Sequence, residues 1–302
     1  MIKEPNEQLG HIPKADDLYA VRDMLYILLQ NGGSITKKQL YNLINQEFLT
    51  RGCDIWAEAT FEEYVTFIDY LEFAKFTPLE IKLLKPVEDF LVNNYWERGT
   101  VQLSQKEKEF FREKLLKYRA LLRFLEVVFI EIGSLEADID QLSLNKIILI
   151  SESVKGRKVL LEKWMKYCGV TDDRDSRAML SWCLQTDIVD KDEYSDSYFL
   201  ISCKEPDINT FKQSLIRNYP LVFDRMLKRA KIPDLRVKVC ADLHMAISNF
   251  DKLLGTLENQ KPHAIFMDRA TNVRDEVAKY ALKRKSFYYY YIQIDVGCLS
   301  RD

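Results

Sequence analysis

Asp69, Glu80 and Lys82 stand in the loose order Asp, gap, Glu-x-Lys, with which a nuclease holds a divalent cation and activates water. Their context argues against that chemistry. Asp69 falls inside the helical stripe "FIDYLEF", where the nuclease arrangement wants a strand start, and Glu80 and Lys82 alternate with Leu79, Ile81 and Leu83 like the wet face of a half-buried strand. Such spacing arises easily in a chain that is 30% charged. There is no Gly-rich phosphate loop, no GxGxxG after a strand, no HExxH and no GxSxG. His11, His244 and His263 fall in a polar start, a turn and a strand head, without metal-ligand spacing. The acidic stretch "DKDEYSDS" lacks the Gly and terminal Glu of a calcium loop and reads as a hairpin tip. The six cysteines are at least 15 positions apart, so they read as reduced, mostly buried thiols. The expectation is a protein that is not an enzyme, with no cofactor, no metal and no evident small-molecule substrate. A metal-dependent nuclease built on Asp69, Glu80 and Lys82 is the lower alternative.

Residues suited to binding are easier to find. In "SNFDKLLGTLENQ", Phe250, Leu253, Leu254 and Leu257 form an apolar stripe and leave Asn249, Lys252, Thr256 and Asn259 outward, types that touch base edges or phosphates. Arg269 and Arg274 follow the next strand-like run, and Lys283, Arg284 and Lys285 precede "SFYYYYIQI". These cations would lie near phosphates if the helix were docked. Secondary contacts are expected at Arg174 and Arg177, although Asp172, Asp173 and Asp175 surround them, and at Lys37 and Lys38 on a helix start.

The charge distribution supports an uneven use of the surface. From Cys203 onward, 18 Lys and Arg stand against 12 Asp and Glu, whereas residues 1–202 hold 26 against 34; the whole chain carries only -2. At 302 residues and 47% hydrophobic content the chain has room for two or three cores. No apolar run approaches the roughly 20 residues that span a bilayer, and "MIKEPNEQLGHIPK" has no apolar signal region, so a soluble, cytoplasmic protein without membrane contact is expected.

Three stretches must position these residues. In the first, Leu18, Val21, Leu25, Leu28 and Leu29 recur at helical spacing up to "NGG"; Thr36 caps a second helix, and Thr60 with Glu63 a third. Strand-like runs and a closing helix follow. A long helix, "QKEKEFFREKLLKYRALLRFLEVVFIEI", runs from Gln105 to Ile132. The central stretch offers "VLLEKWMKYC" and "RDSRAMLSWCL" as helices, with Thr171 or Asp172 as a cap, then "DIV" and "YFLI" as hairpin strands. The last offers "IPDLRVKVCADL" with Pro233 in its first turn, a helix capped by Ser248 with Asp251 three places on, the strand "HAIFMDRA", a charged segment and the tyrosine run. Strict alternation would place Phe287, Tyr289 and Tyr291 on one face of that run and Tyr288, Tyr290 and Ile292 on the other, one set packed and one exposed. The Gly-containing signature of an RNA-recognition sheet is missing.

Helices followed by a hairpin make a winged-helix pattern. The residues "RAMLSWCLQTDIV", "YFLI", "ISNFDKLLGTLENQ", "HAIFMD" and "KSFYYYYIQI" resemble the winged helix-turn-helix superfamily, in particular tandem winged-helix regions of prokaryotic restriction and phage-defence proteins. The fold class expected is mainly α with small β-hairpin wings, three winged-helix-like units in tandem joined by a long helix. The divisions are 1–104, a connecting helix at 105–135, 136–205, and a basic unit at 206–302. The resemblance implies duplex DNA as a partner of the C-terminal third and a larger protein as a partner of the N-terminal part, within a defence or regulatory assembly. The alternative is a pure protein adaptor without DNA contact.

Overall fold

The computed structural model describes residues 12–94, 100, 102–130, 144, 147, 148, 151–202, 205–269, 280–284 and 287–300. The chain is mainly helical, and every strand pairing in its three small sheets is antiparallel among the described residues. It divides into two compact units: residues 1–128 with 137–144 and 161–187, and residues 129–136 with 145–160 and 188–302. The central stretch, 136–205, is thus shared between them. No described helix is long and apolar enough to cross a membrane.

The first unit is built around α1 (Leu18–Gln30), which is buried from Ala20 to Leu28 and ends where Gly32 and Gly33 adopt positive φ. Then come β1 (Ser34–Ile35), α2 (Lys37–Thr50), α3 (Glu58–Tyr70), β2 (Ala74–Phe76), β3 (Ile81–Leu83) and α4 (Lys85–Val92). Thr36 caps α2 as its spacing predicts, in a reciprocal capping box with Gln39. The expected Thr60 cap does not form: α3 begins earlier, with Ala57 as N-cap and the Phe61 amide bonded to the Ala57 carbonyl, so Thr60 lies inside the helix.

The expected long helix is two helices, α5 (Gln105–Leu115) and α6 (Arg119–Phe129). The amides of Lys117 and Tyr118 turn back to Lys114 and Leu115, and the Tyr118 carbonyl starts the next helix. No Gly or Pro marks this break. Tyr118 packs instead near the rings of Tyr70 and Trp182, at 6.2 and 6.3 Å, so a tertiary contact sets the turn. Residues 131–135 of that expected helix lie outside the described residues. In α8 (Arg174–Gln185), which follows α7 (Arg157–Cys168), the buried Trp182 indole donates to the Ala15 carbonyl and packs 4.7 Å from Phe67. The first residue of α8 follows Asp173; neither Thr171 nor Asp172 is its N-cap.

The second unit holds β4 (Val154–Lys155), β5 (Val189–Asp192) and β6 (Ser197–Leu200), then α9 (Ile208–Val222), β7 (Phe223–Asp224), β8 (Arg229–Lys231), α10 (Ile232–Leu243), α11 (Ile247–Gln260), β9 (Ile265–Arg269), β10 (Leu282–Arg284), β11 (Phe287–Ile294) and α12 (Val296–Ser300). Its core joins Phe211 and Leu215 of α9, Leu235 and Val239 of α10, Phe250 and Leu254 of α11, and Ile292 of β11. Phe199 of β6 belongs to the same core. The β5–β6 hairpin is tied in further by the Ile247 amide, which donates to Asp190 at 2.9 Å.

One topology recurs three times. A strand precedes two helices, two strands follow them, and the last strand lies between the other two: β1-β3-β2, β4-β6-β5, and β8-β11-β9. In the third case the hairpin partners β7 and β10 extend the sheet.

Candidate nucleic-acid interface

The α11 helix is set by the turn before it. α10 carries Pro233 in its first turn and stops at His244, which takes the left-handed conformation with φ of 48°. Ala246 is then the N-cap, and Ser248 is already inside α11, so the expected Ser248 cap is replaced by an extended residue with no capping side chain. Phe250, Leu254 and Leu257 turn into the core, with Leu253 packed against it. Lys252, Thr256 and Asn259 are exposed together on the opposite side. Asn249 is half-buried and donates to Glu205 at 3.1 Å.

Both carboxylates of α11 are held away from that face. Asp251 pairs with Arg236 at 3.5 Å; burial pushes its carboxyl up, against the pull of the Arg236 guanidinium. Glu258 pairs with Arg284 of β10. Arg284 is therefore an intramolecular clasp, in contrast to the wet, phosphate-facing side chain expected from its position before the tyrosine run. Lys283 also lies within β10 and stays exposed, its Nζ 5.8 Å from the Tyr288 ring. Arg269 is exposed at the end of β9, stacked 3.7 Å above the Phe287 ring. Arg274 and Lys285 lie outside the described residues.

β11 lies inside the sheet. β9 pairs with it along one edge and β8 and β10 along the other. The strict alternation expected of it fails, because the register with β9 shifts between Tyr289 and Tyr291. Tyr289, Ile292 and Ile294 all pack on the core, so the inward set changes parity across the bulge. Tyr290, at the bulge, is 4% exposed and its hydroxyl meets that of Tyr194 at 3.2 Å. Tyr291 lies under Arg229, whose guanidinium is 4.2 Å above the ring and pairs with Asp268 at 2.9 Å. Phe287 and Tyr288 remain 40% and 42% exposed. The β7–β8 hairpin, which supplies Arg229, was not legible in the sequence; its one signal is Asp224, whose side chain accepts from the Met226 and Leu227 amides.

The secondary positions are engaged with carboxylates. Arg174 pairs with Asp172 and Arg177 with Asp173 at the start of α8. Hydrogen bonds from the Arg174 side chain and amide hold the Asp172 carboxyl down at about 2. Lys37 pairs with Glu62, while Lys38 is exposed. As for Asp69, Glu80 and Lys82, Asp69 is exposed in the last turn of α3, Glu80 accepts from Ser34 at 2.6 Å beside the β2–β3 turn, and Lys82 projects from β3. No group of three or more His, Cys, Asp or Glu with metal-binding geometry occurs among the described residues.

Compared with known proteins, this chain has no significant match to a family model, a curated protein or a solved structure.

Proposed function

We propose that the chain is a non-enzymatic nucleic-acid-binding protein built from tandem winged-helix-like units, in which α11 and the β9–β11 wing contact duplex DNA. The observation that carries this reading is the exposed face of α11: Lys252, Thr256 and Asn259 share it, while Asp251 and Glu258 are neutralised by Arg236 and Arg284. A helix with cationic and amide side chains outward, and no unpaired carboxylate beside them, suits a groove lined by phosphates. The recurrence of the first, third, second strand order around two helices supports the tandem arrangement. The acidic first 202 residues, and the ion pairs that occupy Arg174, Arg177 and Lys37, favour a protein partner for the N-terminal part. A subunit of a prokaryotic defence or regulatory assembly would combine the two roles.

The test is binding of the full chain to random-sequence duplex across a salt series. Affinity should fall steeply with salt, and Lys252→Ala should weaken binding to all sequences and lower the salt slope by about 1. A chain that binds no duplex even at low salt is the pure adaptor instead.

A further inference from the structure

The β7–β8 hairpin carries apolar side chains where a turn ordinarily carries polar ones. Its root belongs to the fold: Ala230 is buried in the core of the second unit, and Val222 and Phe223 pack against that core. Asp224 and Arg229 are the last paired residues, and the turn between them reads Arg225, Met226, Leu227, Lys228. Met226 is 93% exposed and Leu227 43%; Leu221, in the last turn of α9, is 68% exposed. The turn is well formed. Asp224 accepts from the Met226 and Leu227 amides at 2.8 and 3.1 Å, and Lys228 takes the left-handed conformation with φ of 54°.

Arg225 and Lys228 are exposed on either side of the two apolar residues and form no ion pair among the described residues. Arg229, by contrast, is held by Asp268. The tip lies at the Ile294 end of β11, because Lys231 and Ala230 face Tyr291 and Ile292, whereas Arg284 faces Phe287 at the other end of that strand. It is thus at the opposite end of the sheet from the turn between β10 and β11, and it includes none of the residues assigned to duplex contact.

A partner of this tip must accept cations and apolar side chains side by side. Two copies meeting tip to tip would set like charges together. A duplex offers phosphates to the cations, but it gives Met226 and Leu227 no apolar surface unless base steps are unstacked. An anionic membrane offers both, since headgroup charge lies directly above hydrocarbon and a convex tip needs no shaped cleft to enter it. Arg225 and Lys228 adjoin the tip residues in sequence, so they reach headgroups when Met226 and Leu227 reach the acyl boundary.

We propose that the β7–β8 hairpin docks the second unit on an anionic lipid surface, with Met226 and Leu227 entering the acyl boundary and Arg225 and Lys228 meeting the headgroups. Apolar insertion and charge are each weak anchors at this size, so attachment is reversible and needs both. This revises the expectation of no membrane contact, which rested on the lack of a long apolar run; a hairpin tip needs none.

The experiment floats the full chain with phosphatidylcholine vesicles made with or without phosphatidylserine, across a salt series, and measures random-duplex binding of the same proteins. The wild type should float only with phosphatidylserine, and less as salt rises. Met226→Ala with Leu227→Ala should weaken vesicle binding roughly tenfold or more, and Arg225→Gln with Lys228→Gln roughly tenfold. Both should keep duplex binding, and Lys252→Ala should keep vesicle binding. Melting curves accompany each variant. Should the double substitution at the tip unfold the chain, Met226→Asp must show the same selective loss. The proposal is overturned if the wild type does not bind phosphatidylserine vesicles, if the tip variants bind them as the wild type does, or if Lys252→Ala loses them equally. It is also overturned if the tip variants lose duplex binding in step, which would make the tip a wedge between base pairs. Failure of wild-type duplex binding alone would sink the α11 reading and leave this one standing.

Discussion

The Arg284 guanidinium lies across Gly255, so closely that a Cβ at Gly255 would stand 3.0 Å from Nη2. The same guanidinium pairs with Glu258, one turn further along α11. Glycine inside a helix costs about 1 kcal/mol relative to alanine; here the missing side chain lets β10 close on the helix. Arg284→Ala is expected to lower stability by about 1 kcal/mol, since both partners keep a quarter of their side chains exposed. Nucleic-acid affinity should be unchanged. Urea unfolding and duplex titration of the same variant check both halves, and loss of affinity at unchanged stability would return Arg284 to the phosphate contacts.

Asp23 is fully buried in the first unit between two guanidiniums, 2.9 Å from Arg22 and 2.5 Å from Arg51. Arg22 also donates to the Thr100 and Gln102 carbonyls, at 2.6 and 3.0 Å, which ties α1 to the chain before α5. Removing one member of a buried ionic network leaves charge uncompensated, so Asp23→Ala should cost roughly 3 to 5 kcal/mol. Chemical denaturation reads this directly; a change below about 1 kcal/mol would mean that the network behaves like a surface pair.

Tyr290 and Tyr288 are two residues apart and should respond oppositely. Tyr290→Ala empties a buried aromatic site and should destabilise the second unit by roughly 3 to 5 kcal/mol. Tyr288→Ala should stay within about 0.5 kcal/mol. Equal losses at both positions would show that the bulge does not divide the run in this way.

His244 gives the second unit an acid-sensitive turn. Burial lowers its imidazole below the ordinary 6.5, against a hydrogen bond to the Leu200 backbone and the nearby Asp242 carboxylate. Its Nδ1 has no hydrogen-bond partner among the described residues. The unfolded imidazole takes up a proton near 6.5, whereas the folded one resists until lower pH. The stabilisation is therefore complete above 6.5 and is lost as pH falls through the folded value. His244→Asn keeps a side chain that tolerates the left-handed backbone and should flatten the stability profile below pH 6.5. Thermal melts of both proteins from neutral to mildly acidic pH provide the comparison, and parallel profiles would sink the assignment.

Helical periodicity and turn chemistry determined most of the elements. The apolar spacing of α1 and α11, the Thr36 capping box, Pro233 in the first turn of α10 and the polar tip between β5 and β6 are local properties, so they could be read from neighbouring residues. The mainly helical character with small antiparallel sheets follows from them. The outward side of α11 was legible for the same reason: a 3.6-residue period assigns Lys252, Thr256 and Asn259 to one face without reference to anything distant. Tertiary structure decided what depends on partners far along the chain. The turn at Leu116 to Tyr118 follows from packing against Tyr70 and Trp182, and two-residue strands such as β1 exist only through their pairing with β3. The clasp of Arg284 on Glu258 needs two segments 26 residues apart to meet. The tyrosine run is the clearest case. A single bulge changes which residues face inward, and a bulge is a property of two strands in register, so no pattern within β11 alone could reveal it.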